Sequence, residues 1–413
     1  MALKVCLQWP TVGPYHAARI EAVAALAEEH NIRLVVCETA AEDLTGLRQA
    51  KISIPVERVT VLGDQPLAGQ VPWNVQRKTM EVLDLVQPDV VAITGNSTPE
   101  ARGCLAWCIG KQRRAVLMTD SREEDAPRVA WREALKSVIV RSYDAALVAG
   151  TPHRAYVRKL GMDNTAIFEG YDVVDNDFFA AEAVRVRRDP ASIERLPGLP
   201  AESPYFLAVG RMIARKNFET LLMGYRTYAL EVDVPWRLII VGDGQLRRRL
   251  AAYVSEHQLR GVMFAGVQGY ADMPAYYGLA GAFVHTAVSD QWALVVNEAM
   301  ASGLPVIVST GTGSCQDLVV EEKTGLRFES LDHIALAEAM KRMSLDDDLR
   351  RRLGDGATRQ ISAWSLNRFA DSLVAAAKHA AARPARTRIW GRLALWGMGR
   401  LASELSSFQR IET

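Results

Sequence analysis

Residues 289–309 read SDQWALVVNEAMASGLPVIVS, and this stretch contains the pattern on which the fold prediction depends. A polar loop leads into a helical run, and the run is followed by Gly303, Pro305 and the apolar segment VIVS. Gly303 supplies a C-terminal helix stop, and Pro305 prevents the helix from continuing. The stretch therefore predicts a helix over 292–301 and a buried strand over 306–309.

The same alternation of short apolar strands and helices runs along the whole chain. Helices are expected, for example, over 17–29 and 131–143. Alternating strands and helices predict parallel sheets with helices on both faces, and 413 residues are too many for one ordinary core. The predicted strands are 4–8, 33–37, 90–94, 115–119 and 145–149 in the first half, and 205–209, 237–241, 262–264, 282–285 and 306–309 in the second.

Weak periodicity and a concentration of proline and glycine mark residues 181–203 as the region between two domains. The predicted organisation has five parts. They are a first domain over 1–185, a linker over 186–203, a second domain over 204–364, a helix near 365–382 and a basic tail over 383–413.

Composition places the chain among globular proteins, with 49% apolar and 23% charged residues. A net charge of +1 gives no general attraction to nucleic acid, and none is expected as a partner. The five scattered cysteines favour reduced thiols over disulfides or a zinc site. No signal peptide or run of 18 apolar residues is found, so a cytoplasmic protein is expected.

Two carboxylates, Asp290 and Glu298, flank the start of the helix predicted over 292–301. The N–H groups and positive dipole end of such a helix can hold a diphosphate, while the acids accept hydrogen bonds from sugar hydroxyls. A helix-start carboxylate can also act purely by stabilising the helix. A glycosidase pair is disfavoured, because eight residues of helix span about 12 Å and paired glycosidase carboxylates stand roughly 5–9.5 Å apart.

A basic segment, FLAVGRMIARKNFETLL at 206–222, reads as strand, turn and helix. Gly210 permits a tight turn, and Arg211 and Lys216 can then face a diphosphate at the carboxyl edge of the sheet. Cations at a solvated helix start would give the same local pattern. The position of the segment about 80 residues before the acidic motif favours the binding interpretation.

Together these segments resemble the donor site of GT-B glycosyltransferases of family 4, the group 1 glycosyltransferases, with their motifs G-R-x4-K-N and E-x7-E. The chain departs from the pattern at Asp290, where the family usually has glutamate, and at Ala293, where it usually has glycine. The resemblance covers 205–328 by motif and the first half by architecture. It implies two Rossmann-like αβα domains facing each other across a cleft, with the last helix returning to the first domain.

The resemblance also implies the role of each donor-site residue. Arg211 and Lys216 would contact the diphosphate, Asp290 the transferred sugar, and Glu298 the ribose. The remaining donor-site residues that it implies are Gly13, Gly210, Gly242, Gly266 and Val267 in loops at strand ends, and the N–H groups of Ala293, Leu294 and Val295.

On the acceptor side the candidates are His16, Asn96 and Asp120. Many relatives place a histidine near residue 120, and Asp120 stands here instead. Asp120 is therefore grouped with Arg211, Lys216 and Asp290 as the implied catalytic set. A structural role for His16 and a helix-capping role for Asp120 stay open.

The reaction implied is retaining transfer of a sugar from a nucleotide-diphosphate sugar to the hydroxyl of a glycan, glycolipid or small molecule, in surface polysaccharide or glycolipid synthesis. No metal or other cofactor is expected, and the D-x-D sequence at Asp175–Asp177 is interpreted as a turn. Two alternatives stay open, a GT-B sugar-nucleotide epimerase and a non-catalytic sugar-nucleotide-binding protein.

The tail over 383–413 contains six arginines, two glutamates and an apolar face that includes Trp390 and Trp396. Arginine- and tryptophan-rich amphipathic segments can lie on an anionic membrane surface. The tail is thus a candidate peripheral contact with the inner face of the membrane. A helix packed on the first domain is the alternative.

Overall fold

A computed structural model describes residues 2–41, 53–189, 196, 204–384 and 391. The chain divides into two compact units. One contains Met1–Asp172 together with Leu366–Thr413, and the other is the continuous stretch Val173–Ser365. Each unit contains one parallel β-sheet with helices, which confirms the predicted α/β class.

The first unit is built on a seven-stranded parallel sheet with the order β3-β2-β1-β4-β5-β6-β7. Its strands are β1 (Leu3–Trp9), β2 (Ile32–Glu38), β3 (Glu57–Thr60), β4 (Val90–Thr94), β5 (Arg114–Thr119), β6 (Ala145–Val148) and β7 (Ile167–Glu169). Its helices are α1 (Pro14–Ala27), α2 (Pro72–Val86), α3 (Pro99–Gly110), α4 (Ala130–Val140), α5 (Thr151–Lys159) and α14 (Leu366–Ala382).

The central strands of this sheet are apolar along their whole length, as strands covered on both faces are. β4, for example, reads VVAIT, and its first four residues are buried. Strand order reverses between β1 and β4, so the loops that follow these two strands diverge and leave a crevice at the carboxyl edge of the sheet. This edge receives the loops that contain the first-unit candidates.

Helix α14 is separated from the rest of its unit by 193 residues of chain, yet it packs on α1 and on β6 and β7. Phe369 is fully buried, with its ring 6.4 Å from that of Tyr171. The guanidinium of Arg19, on α1, lies 5.7 Å from the centre of the Phe369 ring. These contacts anchor α14 as part of the first unit.

The second unit is built on a six-stranded parallel sheet with the order β10-β9-β8-β11-β12-β13. Its strands are β8 (Tyr205–Val209), β9 (Arg237–Val241), β10 (Val262–Gly266), β11 (Ala282–His285), β12 (Val306–Ser309) and β13 (Gly325–Phe328). Its helices are α6 (Asn176–Arg188), α7 (Phe218–Glu231), α8 (Arg247–Glu256), α9 (Met273–Leu279), α10 (Leu294–Ala301), α11 (Cys315–Leu318), α12 (His333–Leu345) and α13 (Asp347–Ser362).

In this sheet the order reverses between β8 and β11. The chain runs outward from β8 to β9 and β10, then returns to β11 and continues to the opposite edge. Open α/β sheets bind ligands at such a reversal, beyond the carboxyl ends of the strands. The G-R-x4-K-N segment follows β8, and the acidic segment follows β11, so topology alone places them side by side.

Ten predicted strands are confirmed within a residue or two at their ends, and three short ones, β3, β7 and β13, were not predicted. The division between the units falls at Asp172, earlier than the predicted first domain of 1–185, because α6 packs on α9 and α10. Most of the predicted linker and of the 383–413 tail lies outside the described residues.

None of the described helices combines the length and apolar character needed to cross a membrane. All five cysteines are buried with free thiols. Burial in the core of the first unit raises the pKa of the Cys104 thiol.

Candidate functional site

Three side chains meet where β8 and β11 end, and one carboxylate oxygen joins them. The Oδ2 atom of Asp290 accepts a hydrogen bond from the Lys216 ammonium and lies 3.0 Å from Nε2 of His285. All three are largely buried, with side-chain exposures of 9% for Asp290, 13% for Lys216 and 4% for His285. We call Lys216, Asp290 and His285 the charged cluster.

Two reciprocal contacts hold the loops that carry this cluster together. The Thr286 hydroxyl donates to the carbonyls of Lys216 and Asn217, and the Asn217 amide donates to the carbonyl of Thr286. Asn217 stands in the left-handed region at φ 54°, between the turn after β8 and α7. Asparagine tolerates that conformation better than most residues, which explains its place directly after the lysine.

Burial and hydrogen bonding act in opposite directions on Asp290. Burial raises the pKa of a carboxyl group, but the hydrogen bond from His285 and the charges nearby outweigh it, so the pKa of Asp290 lies well below its usual value. The pKa of His285 is lowered chiefly by burial, which favours the neutral imidazole. Asp290 is thus an anion, held by one cation and one neutral donor.

Lys216 lies in a cationic environment of its own. Burial lowers its pKa, Asp290 opposes that effect, and the charges of Arg215 and Arg211 add to it. Arg211 is exposed, directly after Gly210. The end of β8 therefore concentrates three positive charges. Asp290 neutralises Lys216, and among the described residues neither Arg211 nor Arg215 forms an ion pair. An anionic ligand such as a diphosphate would relieve their mutual repulsion.

The helix α10 begins beside this cluster with an unusual residue. Ala293 precedes it at φ 75° and ψ 76°, a left-handed conformation that favours glycine. This turn starts the helix at Leu294, two residues later than predicted. No described side chain caps α10, so the N–H groups of Leu294 and Val295 keep their capacity to bind an anion.

A glycine-rich loop after β12, TGTGS at 310–314, supports the backbone around Asp290. Asp290 donates its N–H to the carbonyl of Gly311, and its own carbonyl accepts from the N–H of Gly313. A Cβ atom at Gly313 would lie 1.7 Å from the carbonyl oxygen of Gln291. Only glycine permits this close approach. The 310–314 loop therefore packs against the loop that contains Asp290, which we call the acidic loop, and holds its backbone in place.

Glu298 lies one turn into α10 and is 1% exposed. Its Oε2 atom accepts a 2.7 Å hydrogen bond from the hydroxyl of Tyr277, on α9. The Tyr277 ring in turn packs edge-on against Phe179 of α6, with 6.0 Å between ring centres. Helix α6 therefore positions Glu298 through Tyr277, within the second unit.

The loops after β8, β9 and β10 pack tightly at the neighbouring edge. Gly242 stands at φ 126°, and a Cβ atom there would lie 2.1 Å from the carbonyl oxygen of Gly210. The N–H of Gly242 donates to the carbonyl of Gly266, and the following Val267 is 70% exposed. Gly210, Gly242 and Gly266 thus lie close together at the carboxyl edge of the sheet, and their assignment to a nucleotide pocket stays a prediction.

Known proteins resemble this part of the chain. Residues 192–360 match the family model of group 1 glycosyl transferases. The match covers 169 of the 413 residues, about two fifths of the chain. We call 192–360 the group 1 domain; it contains the whole charged cluster and α10.

Two curated relatives and one solved structure show the extent of the likeness. The D-inositol 3-phosphate glycosyltransferase of Xylanimonas cellulosilytica is 27% identical over 240 residues, 56% of each chain. The GDP-mannose-dependent alpha-mannosyltransferase of Mycolicibacterium smegmatis is 32% identical over 177 residues, 42% of this chain and 43% of that protein. The chain thus spans about half the length of these relatives.

A sucrose-phosphate synthase from Thermosynechococcus elongatus superposes with a TM-score of 0.68 at 20% identity, over 98% of this chain and 99% of that one. Identity this low shows the fold alone. The chain has the GT-B fold class, with two parallel-sheet α/β units.

Outside the group 1 domain, the first-unit candidates lie at the carboxyl edge of their own sheet. Gly13 begins α1 after β1, Asn96 follows β4, and Asp120 follows β5. These three strands are neighbours in the sheet, so the three residues share one edge.

His16 has a structural role at this edge. Its Nδ1 atom accepts a hydrogen bond from the N–H of Gly13 at 3.1 Å, and its ring lies 5.1 Å from that of Trp9. Burial, reinforced by the charge of Arg19, lowers the pKa of His16 to about 3. The structure thus ties both Gly13 and His16 into the start of α1, where His16 closes a capping interaction.

The D-x-D sequence has a structural explanation. Asp175 caps α6 by accepting from the N–H of Phe178 at 3.0 Å. The Asn176 amide donates to the carbonyls of Ile361 and Trp364. Among the described residues, no group of three or more His, Cys, Asp or Glu side chains is arranged to hold a metal ion.

Sequence reasoning missed His285, Tyr277 and the glycines of the 310–314 loop. The sequence contained one indication of His285, which is the polar residue at the end of the otherwise apolar strand AFVH. The loop left another, two glycines one residue apart after a buried strand. Tyr277 left none, because its role depends on the packing of α6 on α9.

The left-handed conformation of Ala293 predicts an unusual response to glycine. Ala293→Gly should be neutral or stabilising, because relief of a strain of about 1–2 kcal/mol offsets the flexibility that glycine adds to the unfolded chain. Ala301→Gly, in the same helix at ordinary dihedrals, should lose about 1 kcal/mol or more. Urea unfolding of both variants measures the contrast, and equal losses would contradict it.

His16 predicts a stability change in mild acid. The folded protein resists protonating His16 because its pKa is lowered from 6.5 to about 3, while the unfolded chain takes up the proton. The stabilisation is therefore full above pH 6.5 and is lost as the pH falls toward 3.

Between pH 7 and pH 5, His16 should account for a loss of about 1–2 kcal/mol in the free energy of unfolding. His16→Gln keeps an acceptor for the N–H of Gly13 without a titrating group, so its curve should be flatter. His257→Gln, at the end of α8, is the control for the substitution of histidine by glutamine. Parallel curves for His16→Gln and wild type would refute the assignment.

Proposed function

We propose that the chain is a retaining glycosyltransferase that moves a hexosyl or related sugar from a nucleotide-diphosphate sugar to an acceptor hydroxyl. The observation that supports this most strongly is the charged cluster beside the uncapped start of α10, at the strand-order reversal of the group 1 domain. A cation and an anion that share one buried site suit a ligand with a diphosphate joined to a sugar.

In this proposal the diphosphate binds between the end of β8 and the start of α10. Arg211, Lys216 and the N–H groups of Leu294 and Val295 contact its oxygens. Negative charge builds up on the departing diphosphate as the bond to the sugar breaks. Fixed positive groups that stabilise that charge lower the barrier for the chemical step.

The two acids bind the groups on either side of the diphosphate. Asp290 accepts hydrogen bonds from hydroxyls of the transferred sugar, and Glu298 accepts from the ribose. Both are buried and already hydrogen-bonded, so their positions are set before the ligand arrives. Preorganised acceptors lose little entropy on binding, which favours tight and specific recognition.

The acceptor proton is removed by the departing diphosphate oxygen on the same face of the sugar. The acceptor oxygen forms the new bond to the anomeric carbon there, the bond to the diphosphate breaks, and the configuration is retained. This route requires no protein base, which agrees with the involvement of His16 and His285 in other contacts. Asp120 is assigned a polar role near the acceptor. We propose metal-independent transfer, since the cations and the helix start supply the positive charge.

The names of the relatives suggest a setting. An inositol-phosphate glycosyltransferase and a GDP-mannose-dependent mannosyltransferase both resemble the group 1 domain. We infer a glycan or glycolipid acceptor in surface polysaccharide or glycolipid synthesis, on the cytoplasmic side.

The proposal assigns Lys216 and Glu298 indispensable contacts. Lys216→Ala and Glu298→Ala should each reduce transfer by at least about 100-fold, because each removes a ligand contact together with a buried hydrogen bond. Lys341→Ala, at a half-buried position on α12, and Glu338→Ala, at an exposed position on the same helix, are the matched controls and should keep wild-type rates. Release of nucleoside diphosphate in the presence of acceptor extracts measures the effect. Full turnover by both site variants would refute the assignment.

The same assay separates the alternatives. A sugar-nucleotide epimerase would convert the sugar of the donor without any acceptor, which sugar analysis of a donor-only incubation detects. A non-catalytic binding protein, an alternative suggested by the departures from the family pattern at Asp290 and Ala293, would raise its melting temperature with a sugar nucleotide but show no turnover with any acceptor.

The tail over 383–413 is proposed to contact the inner face of the membrane through its arginines and tryptophans. Full-length protein should bind liposomes of anionic phospholipid, and a version ending at Ala382 should bind them several-fold more weakly, because basic residues add about 1 kcal/mol each near such a surface. Liposomes of neutral lipid serve as the control. Equal binding by both versions to anionic liposomes would exclude this role.

A further inference from the structure

The charged cluster contains an asymmetry that the donor site does not explain. Lys216 and His285 both bond to the same oxygen of Asp290, Oδ2. Among the described residues, nothing hydrogen-bonds to the other oxygen, Oδ1. One oxygen is therefore engaged by the protein and one is available to a ligand.

The two partners of Oδ2 differ in what a donor would do to them. Lys216 is part of the cationic end of β8, and a diphosphate would compete with Asp290 for its ammonium group. His285 is 4% exposed, and burial favours its neutral form. A neutral imidazole has little attraction for a diphosphate, so its bond to Asp290 persists when the ligand binds.

The surroundings of His285 hold its ring in place. His285 ends β11 and lies among Ala208, Val209, Phe218 and Val284. Its ring is stacked on that of Phe283, with an interplanar angle of 13° and 6.3 Å between ring centres. His285 thus holds the Oδ2 atom of Asp290, and the 310–314 loop holds the Asp290 backbone. Together these contacts fix the orientation of the Asp290 carboxylate.

We propose that His285 is a positioning residue that fixes Asp290 so that Oδ1 faces the transferred sugar. The inference rests on the proposed function. It also accounts for Asp290, which is one methylene shorter than the glutamate usual in the family. His285 holds the shorter carboxylate in the orientation that sugar binding requires. His285 would then control sugar binding while leaving diphosphate binding to Lys216 and Arg211.

The test compares affinity for nucleoside diphosphates with affinity for the matching sugar nucleotides. The probes are uridine diphosphate, guanosine diphosphate, and the glucose and mannose derivatives of each. Calorimetry measures their dissociation constants. His285→Leu keeps the volume in an apolar environment but removes the donor. It should bind the bare diphosphate within about 2-fold of wild type, and bind the sugar nucleotide and turn it over at least about 10-fold less well.

Two amide variants test the position of the donor atom. The amide of His285→Gln can reach the place of Nε2 and should restore sugar-nucleotide affinity to within about 3-fold of wild type. The amide of His285→Asn falls short and should resemble His285→Leu. This pair decides the question even if His285→Leu does not fold.

The double variant His285→Leu/Asp290→Glu tests compensation. The longer acid should recover at least about 5-fold of the turnover lost in His285→Leu, a clear departure from additivity. Additive losses would overturn the proposal, as would equal losses of diphosphate and sugar-nucleotide affinity or equal behaviour of the Gln and Asn variants. Failure of the wild type to bind any sugar nucleotide would instead refute the proposed function. His257→Gln is the control throughout.

Discussion

The shared Oδ2 atom of Asp290 is the contact on which the rest of the site depends. A buried carboxylate is stable only when its charge is compensated, and removal of one partner from such a group commonly costs several kcal/mol. Lys216 compensates the charge and His285 adds a neutral donor. Both arrive from the carboxyl ends of neighbouring strands, so the cluster requires the parallel sheet, and in particular the reversal of strand order between β8 and β11.

Because the site depends on the position of the Asp290 carboxylate, the loops around Asp290 are held by several hydrogen bonds. The acidic loop is held from one side by Thr286 and Asn217, and from the other by the glycines of the 310–314 loop. Glu298 is fixed separately, through Tyr277 and α6. The two acids are therefore positioned by different parts of the second unit, and a change in one need not disturb the other.

The sequence was sufficient for the fold class, ten of the strands and the contact between the segments after β8 and β11. Strong apolar patterns and glycine stops carry that information locally. It was insufficient for β3, β7 and β13, which are short and lie at or near sheet edges, and for the place of α6, which packing on α9 decides. His285 was overlooked for the same reason, since only the turn of the acidic loop brings it to Asp290. The predicted start of α10 was two residues too early, because Ala293 adopts a left-handed conformation. The neighbouring residues impose this conformation, which alanine does not prefer.

The return of α14 to the first unit has a consequence for synthesis on the ribosome. The first unit needs α14 to cover α1, β6 and β7, but this helix is translated only after the entire second unit. The second unit, Val173–Ser365, is continuous and can complete its fold as soon as it emerges. The usual order, in which the N-terminal domain finishes first, is therefore reversed. Until residue 382 emerges from the ribosome, the apolar surface that receives Phe369 stays uncovered, and exposed apolar surface on an incomplete chain promotes aggregation.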